Sequence, residues 1–290
     1  MCFICMGSTY ADQLSDQVSQ WRQSHEQQIV DEFAKFLSIP NVASDKSNIR
    51  KNANHISQLL KNVGMSVELL ELEGSNPVVF AERRSPGATK TVMIYIHYDG
   101  QPVNVDNWAS DPWVPVMRTD MVENGGKQVS MKAPFDPDWR IFARSAGDDK
   151  APVIALQSAL MALADRGIEP TVNLKVFLEG EEEAGSPNLR RMLDAHKDKL
   201  AADLWLFCDG PAHQSRRWQL VYGGRGMYGF NRTGYGPNRP LHSGHSGNWA
   251  PNPLMLLTEL VNSMRAPDGE ILVDGYRDQV VPLSAVELSA

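Results

Sequence analysis

The sequence is poor in cysteine, because its 290 residues include only Cys2, Cys5 and Cys208. A small and odd number of thiols excludes the disulfide framework of small secreted domains. Cys2 and Cys5 form a single CxxC, but without a second cysteine pair or a histidine pair this spacing does not favour a zinc knuckle. We therefore expect a reducing, cytoplasmic location, with export as the alternative if an upstream signal has been lost.

Basic runs and long hydrophobic runs are also lacking. The chain has 28 Lys and Arg against 35 Asp and Glu, a formal net charge of −7, and no basic run exceeds two residues. It therefore lacks the electrostatic footprint of a nucleic-acid-binding protein. No stretch approaches the roughly 18 uninterrupted apolar residues that a membrane span requires. We expect neither nucleic acid nor a membrane as a partner.

The composition is that of a folded chain with a substantial core, at 42% apolar and 22% charged residues. Nearly continuous apolar runs in "TVMIYIHYDG", "TVNLKVFLEG" and "ADLWLFCDG" predict buried strands. Helical patterns alternate with them in "DDKAPVIALQSALMALADRG" and "SPNLRRMLDAHKDKLA". This alternation predicts an α/β fold with a mixed, largely parallel sheet sandwiched by helices.

The chain before these runs predicts further elements. Residues 9–37 predict one long helix, which ends before Pro40, and residues 49–63 predict a second helix. The stretches "MSVELLEL" and "PVVFAER" predict two strands.

A change of amino-acid composition after Gly210 predicts a domain boundary. The stretch "GPAHQSRRWQLVYGGRGMYGFNRTGYGPNRP" is rich in Gly, Arg and aromatic residues and predicts hairpins, and "NPLMLLTELVNSM" predicts an amphipathic helix. We therefore predict a first domain over residues 1–212 and a second, α+β domain over residues 213–290.

Acidic and imidazole side chains recur at or just beyond the predicted strand ends and at one helix start. The clusters are His97 with Asp99, Asp148 with Asp149, Glu182 with Glu183, and Asp209. In open α/β sheets, ligands bind outside the carboxyl ends of the strands. One imidazole with several carboxylates suits Zn²⁺ or Mn²⁺, and a carboxylate left over could act as a general base.

Each cluster taken alone also has an ordinary structural explanation. Asp99 could cap a strand end in a turn, and the Asp148–Asp149 pair could cap a helix. Glu182 and Glu183 could belong to a solvated acidic loop. A metal site is favoured because it explains all four clusters by a single cause.

Six motifs resemble those of one known family in both order and spacing. They are "HYDGQPV", "DNWASDPW", "RSAGDDK", "EGEEEAGSPNL", "ADLWLFCDG" and "RPLHSGHSGNWAPNP". The family is the dinuclear-zinc peptidase family M20, with carnosinase-type dipeptidases, aminoacylase, acetylornithine deacetylase and glutamate carboxypeptidase. The resemblance runs from about residue 28 to residue 287. The tryptophan loop and "LHSG" indicate the dipeptidase branch.

The resemblance implies a role for individual residues. His97, Asp148, Glu183 and Asp209 would bind two divalent metal ions, zinc with manganese as the alternative. Glu182 would be the catalytic base, and Asp99 would orient His97. The histidine of "LHSG", His242, would reach the partner subunit's active site and stabilise the oxyanion.

The resemblance also implies a function and an architecture. A catalytic domain of the zinc-exopeptidase type would cleave the amide bond of a dipeptide or short peptide through a zinc-bridged hydroxide, and a lid domain would carry a homodimer contact. Two alternatives are an N-acyl amino acid deacylase of the same family and a truncated, catalytically impaired metal-binding or dimerising fragment.

The sequence departs from the family pattern in two places. Ile96 stands where a glycine usually precedes the metal-binding histidine. The sequence also stops at Ala290, before the returning segment that supplies a final metal-binding histidine in this family. We therefore interpret the chain as the amino-terminal part of such an enzyme, with an incomplete lid.

Overall fold

The computed structural model describes residues 5–210, 221, 226–227, 229–285 and 288, and only the backbone of residues 5–12. The chain divides into two compact units, Met1–Gln219 and Leu220–Ala290. The boundary that we predicted between residues 212 and 213 lies outside the described residues and stays a prediction.

A five-stranded sheet forms the centre of the first unit, with the strand order β1-β2-β7-β3-β8. Its strands are β1 (Ser66–Leu70), β2 (Val78–Arg83), β3 (Thr91–His97), β7 (Asn173–Glu179) and β8 (Leu204–Phe207). β3 pairs in parallel with β7 and β8, whereas β2 pairs antiparallel with β1 and β7. Four of the five strands therefore run in one direction, which confirms the mixed, largely parallel sheet.

Helices cover both faces of this sheet. The helices of the first unit are α1 (Cys5–Ser24), α2 (Glu26–Leu37), α3 (Lys46–Asn62), α4 (Lys150–Ala164) and α5 (Leu189–Ala195). Alternate residues of β3 belong to different cores: Ile96 packs with residues of α2, α3 and α4, and Tyr95 packs with Met192 of α5. This alternation is that of a strand buried on both faces.

The long amino-terminal helix is two helices rather than one. The chain is interrupted at His25, between α1 and α2. The hydroxyl of Ser24 donates to the carbonyl of Trp21, and the ring of His25 stacks on that of Trp21 at 4.0 Å. These local side-chain contacts compete with regular helix geometry, which the apolar spacing did not indicate.

A second, three-stranded sheet lies in the segment between β3 and α4. Its strands are β4 (Val116–Arg118), β5 (Gln128–Val129) and β6 (Arg140–Phe142), and β4 pairs antiparallel with both neighbours. These strands have two or three residues each, too few for a recognisable alternation in the sequence.

The second unit contains two helices among the described residues, α6 (Ser243–Ser246) and α7 (Pro253–Ser263). The predicted amphipathic helix is therefore confirmed as α7, and Asn252 caps it by accepting from the amide of Leu254 at 3.0 Å. The segment predicted to form hairpins lies partly outside the described residues, and residues 229–241, which are described, hold no strand. Within the described chain, no helix is long and apolar enough to span a bilayer.

Candidate metal centre

The candidate site lies at the carboxyl end of the parallel strands. His97 is the last residue of β3 and lies opposite Glu179, the last residue of β7. Asp209 follows the end of β8 at Phe207, and Glu182 follows the end of β7. The sheet therefore brings together three segments that are more than 20 residues apart in the chain.

His97 is buried, and carboxylates face both of its ring nitrogens. Nε2 lies 2.7 Å from Oδ1 of Asp148 and 3.9 Å from Oδ2 of Asp209. Nδ1 lies 3.5 Å from Oδ1 of Asp99. An imidazole in this position receives its polar contacts from anions.

The electrostatic field at His97 favours positive charge. Burial by itself lowers the pKa of His97, but the carboxylates of Asp99, Asp149 and Asp209 outweigh it and raise the pKa to about 10. Nearby opposite charges stabilise the charged form of a titratable group. A divalent cation would satisfy the same field, so the charge distribution fits a metal ion.

Three of the side chains could hold one ion together. Ligand atoms of His97, Glu182 and Asp209 all lie within 4.8 Å of one another. One imidazole nitrogen with two carboxylate oxygens is a set that suits Zn²⁺ and other borderline cations. Burial raises the pKa of Glu182; Asp209 and Glu183 raise it further, and His97 opposes them.

Asp99 organises the loop that carries the glutamates. It is fully buried, and its two carboxylate oxygens accept hydrogen bonds from the amides of Glu182 and Glu183, each at 3.0 Å. Asp99 therefore links the end of β3 to the turn after β7. The spacing of His97 and Asp99 indicated a carboxylate beside the imidazole, but it gave no sign of these two bonds.

Asp148 and Asp149 precede α4 and face different surroundings. The side chain of Asp148 is 69% exposed and contacts His97, whereas Asp149 is buried. Burial is the main cause that raises the pKa of Asp149 to about 8. Its Oδ2 accepts from the amide of His97 at 3.2 Å and makes no capping bond to α4. The helix-cap explanation therefore fails for the Asp149 side chain.

Glu183 lies beside the cluster of ligand atoms but has its own partner. Its Oε2 accepts from Nε2 of Gln101 at 2.6 Å, and its carboxylate is not one of the three groups that lie within 4.8 Å of one another. Sequence reasoning missed Gln101, although it stands two residues after Asp99 in the "HYDGQPV" motif. Among the described residues, Glu182 rather than Glu183 therefore belongs to the group of mutually close ligand atoms.

The two remaining glutamates of the motif, Glu179 and Glu181, are buried. Oε2 of Glu179 accepts from the hydroxyl of Tyr95 at 2.7 Å. The carboxylate of Glu181 accepts from the amides of Asn76 and Asn188, at 3.1 and 3.0 Å. Both glutamates therefore fix the chain around the site, and a solvated acidic loop does not describe this segment.

His242 belongs to the second unit and stands immediately before α6. It is exposed, and its Nδ1 accepts from the amide of Gly244 at 3.1 Å. Its ring centroid lies 4.6 Å from that of His245. The predicted role of His242 involves a partner subunit and stays a prediction.

Comparison with known proteins agrees with this geometry. Residues 93–222 match the model of peptidase family M20/M25/M40. A Cys-Gly metallodipeptidase of Schizosaccharomyces pombe is 31% identical over 275 residues, which are 90% of this chain and 54% of that protein. A Beta-Ala-His dipeptidase of Homo sapiens is 31% identical over 216 residues, which are 73% of this chain and 39% of that protein.

The fold is also that of a solved M20 enzyme. An M20 family metallo-carboxypeptidase of Sulfolobus solfataricus superposes with a TM-score of 0.71 at 28% identity, over 90% of this chain and 55% of that one. The chain spans about half the length of this structure and of the first of the curated relatives above. The motifs, the site at the strand ends and these matches agree on peptidase family M20/M25/M40, whose model matches residues 93–222 of this chain.

Proposed function

We propose that this chain carries the metal site of a dipeptidase, an enzyme that hydrolyses the amide bond of dipeptides or short peptides. The observation that carries the proposal is the convergence of His97, Glu182 and Asp209, with ligand atoms within 4.8 Å of one another, at the carboxyl end of a parallel sheet. The names of the relatives, a Cys-Gly metallodipeptidase and a Beta-Ala-His dipeptidase, support dipeptides as the substrate class.

The proposed cofactor is a pair of divalent ions, zinc with manganese as the alternative, held by His97, Asp148, Glu183 and Asp209. When bound, such ions supply a Lewis acid that polarises the scissile carbonyl and acidifies water. Two further aspartates position these residues through backbone amides. Asp99 accepts from the amides of Glu182 and Glu183, and Asp149 accepts from the amide of His97.

Glu182 is the proposed proton carrier. A general base must accept a proton from the attacking water and then return it to the leaving amine, which requires a pKa closer to neutral than that of a free glutamate. Burial, Asp209 and Glu183 all raise the pKa of Glu182. The Glu182 carboxylate also lies among the candidate ligand atoms. Glu182 and Glu183 must therefore be compared to decide which of them is the base and which is a ligand.

Oxyanion stabilisation is assigned to His242 of a partner subunit, in a homodimer formed through the second unit. His242 has one ring nitrogen engaged by its own loop, at Gly244. The other ring nitrogen would serve the substrate of the partner. We propose a cytoplasmic location on the basis of the cysteine content.

Activity of the 290-residue chain tests the proposal. The metal-free chain should hydrolyse Cys-Gly and β-Ala-His only after zinc or manganese is added, and Glu182→Gln should lower kcat by at least about a hundredfold. Glu123→Gln, at an exposed glutamate, is the matched control and should retain full activity. N-acetyl amino acids in the same assay test the alternative function, deacylation of N-acyl amino acids. If the chain binds no metal and has no rate above the Glu182 variant, the proposal fails for this polypeptide.

A further inference from the structure

A buried asparagine joins the two loops that carry the site's side chains. Asn41 lies in the turn between α2 and α3 and is completely buried. Its Nδ2 donates to the carbonyl of Tyr98 at 2.7 Å and to the hydroxyl of Ser145 at 3.0 Å. These partners lie 57 and 104 residues further along the chain.

The first loop is held on both sides of Asp99. The Asn41 side chain binds the carbonyl of Tyr98, which precedes Asp99, and the Asn41 carbonyl accepts from the amide of Gly100, which follows it, at 2.9 Å. Asp99 in turn accepts from the amides of Glu182 and Glu183. Asn41 therefore influences the turn that carries Glu182 and Glu183 through the loop that contains Asp99.

The second loop is held through Ser145. Ser145 is buried and has a φ of 61°, a conformation that residues other than glycine rarely adopt without support from their surroundings. Its carbonyl accepts from the amide of Lys150 at 3.1 Å, where α4 begins after Asp148 and Asp149. The contact with Asn41 supports this strained residue from the turn between α2 and α3.

Two further contacts fix the same junction. A β-carbon on Gly100 would lie 2.3 Å from the Ser145 hydroxyl and 3.0 Å from Oδ1 of Asn41, so the two loops approach closely only because residue 100 is glycine. The buried ammonium group of Lys150 donates to the carbonyls of Phe36 and Ile39, at 2.9 and 2.8 Å. The end of α2 and the turn that contains Asn41 therefore both hold the first residue of α4.

We propose that Asn41 is a positioning residue of the metal centre, which sets the distance between the loop of His97 and Asp99 and the loop of Asp148 and Asp149. It touches none of the proposed ligand atoms and acts through Tyr98, Gly100 and Ser145. An amide side chain is required because the carbonyl of Tyr98 can only accept, and an aspartate would offer it no donor. The Ser145 hydroxyl both accepts from Nδ2 of Asn41 and donates to its Oδ1, the latter at 3.4 Å. This inference rests on the proposed metal site.

Hydrogen exchange of the metal-free, full 290-residue chain tests the inference without any metal. In Asn41→Ala, the amides of Gly100, Glu182, Glu183 and Lys150 should exchange at least roughly tenfold faster than in the unmutated chain. Ser85→Ala is the control, because Ser85 is also buried and its hydroxyl donates to a distant carbonyl, that of Val172, with no contact to the turn that contains Asn41. It should leave those four amides within about threefold of their original rates.

Zinc affinity, measured by competition with a chromophoric chelator, provides the second readout. We expect about a tenfold loss in Asn41→Ala and less than about a threefold change in Ser85→Ala. If Asn41→Ala does not fold, Ser145→Ala removes the hydroxyl partner alone and should accelerate exchange at Lys150. Equal effects of Asn41→Ala and Ser85→Ala on both readouts would overturn the inference. If the unmutated chain binds no zinc, the proposed function fails, and the exchange rates alone decide the role of Asn41.

Discussion

His97 and Asp99 illustrate how two neighbouring residues in an extended segment acquire different tasks. His97 faces the carboxylates of Asp148 and Asp209, whereas Asp99 turns toward backbone amides on another strand end. An outer carboxylate of this kind orients both an imidazole and the loop that supplies further ligands. Asp99 therefore shapes the candidate site through backbone amides, without belonging to the group of mutually close ligand atoms.

We predict that Asp99→Asn weakens zinc binding by about tenfold to a hundredfold, as is usual for residues that orient metal ligands. The amide group can accept only one of the two hydrogen bonds from Glu182 and Glu183, and it carries no charge for His97. Chelator competition measures the change. Asp106→Asn, at an exposed aspartate, is the control; equal affinity of the two variants would show that Asp99 is dispensable.

Gly180, between the two buried glutamates of the motif, tests the packing beneath the site. A β-carbon there would lie 2.4 Å from the hydroxyl oxygen of Tyr98, which itself donates to the carbonyl of Pro77. We expect Gly180→Ala to lower the free energy of unfolding by about 1–3 kcal/mol, the usual cost of overpacking. Urea unfolding measures it. Gly147→Ala, where nothing lies within 4 Å of the added carbon, should cost less.

At the scale of elements, the sequence predicted the main helices and strands because their patterns are local. Apolar runs indicated β3, β7 and β8, and the helical spacing indicated α3, α4 and α7. The break at His25 and the short strands of the second sheet were not predicted. Both depend on contacts that spacing does not encode: the Ser24 and His25 side chains on Trp21, and the pairing of β4 with β5 and β6.

The packing of α2 on α3 provides a pH-dependent prediction. His55 of α3 stacks on Phe36 of α2, with Nε2 3.1 Å from Oε1 of Glu32. Burial lowers the pKa of His55, Glu32 opposes this, and Lys35 and Lys150 add to it. The folded state thus prefers the neutral ring, whereas the unfolded state binds a proton near pH 6.5.

The stability that this ring contributes is therefore present above about pH 6.5 and is lost as the pH falls through the folded-state value. Urea unfolding from pH 8 to pH 5 should show a decrease in the free energy of unfolding, and His55→Gln should reduce that decrease. His196→Gln, at the histidine that follows α5, is the control. An identical pH profile for the unmutated chain and His55→Gln would contradict the assignment.

At the scale of the whole molecule, one edge of the main sheet is an apolar strand, β8. β8 is the last strand of the sheet and pairs only with β3 among the described residues. Leu204, Leu206 and Phe207 on this strand are 51%, 45% and 67% exposed. An apolar edge strand with free backbone groups is a template for association.

We predict that the 290-residue chain self-associates through this edge as its concentration rises, and that Leu206→Lys suppresses the association. A lysine on an edge strand opposes pairing with a second strand. Sedimentation velocity over a hundredfold range of concentration measures it. Val105→Lys, at an apolar residue that is 59% exposed in a short turn outside the sheet, is the control; equal behaviour of the two variants would exclude the β8 edge.

The sequence by itself determined the class of fold, the motifs that resemble those of peptidase family M20/M25/M40 and the positions at which acidic and imidazole residues follow strands, because periodicity and motif spacing are properties of neighbouring residues. Only the tertiary structure decided that Asp149 binds the amide of His97 instead of capping α4, and that Glu182 lies with His97 and Asp209 while Glu183 binds Gln101. It also decided that Asn41 joins two loops that are 57 and 104 residues away. These outcomes depend on which distant segments the sheet brings into contact, and local sequence patterns do not predict such contacts.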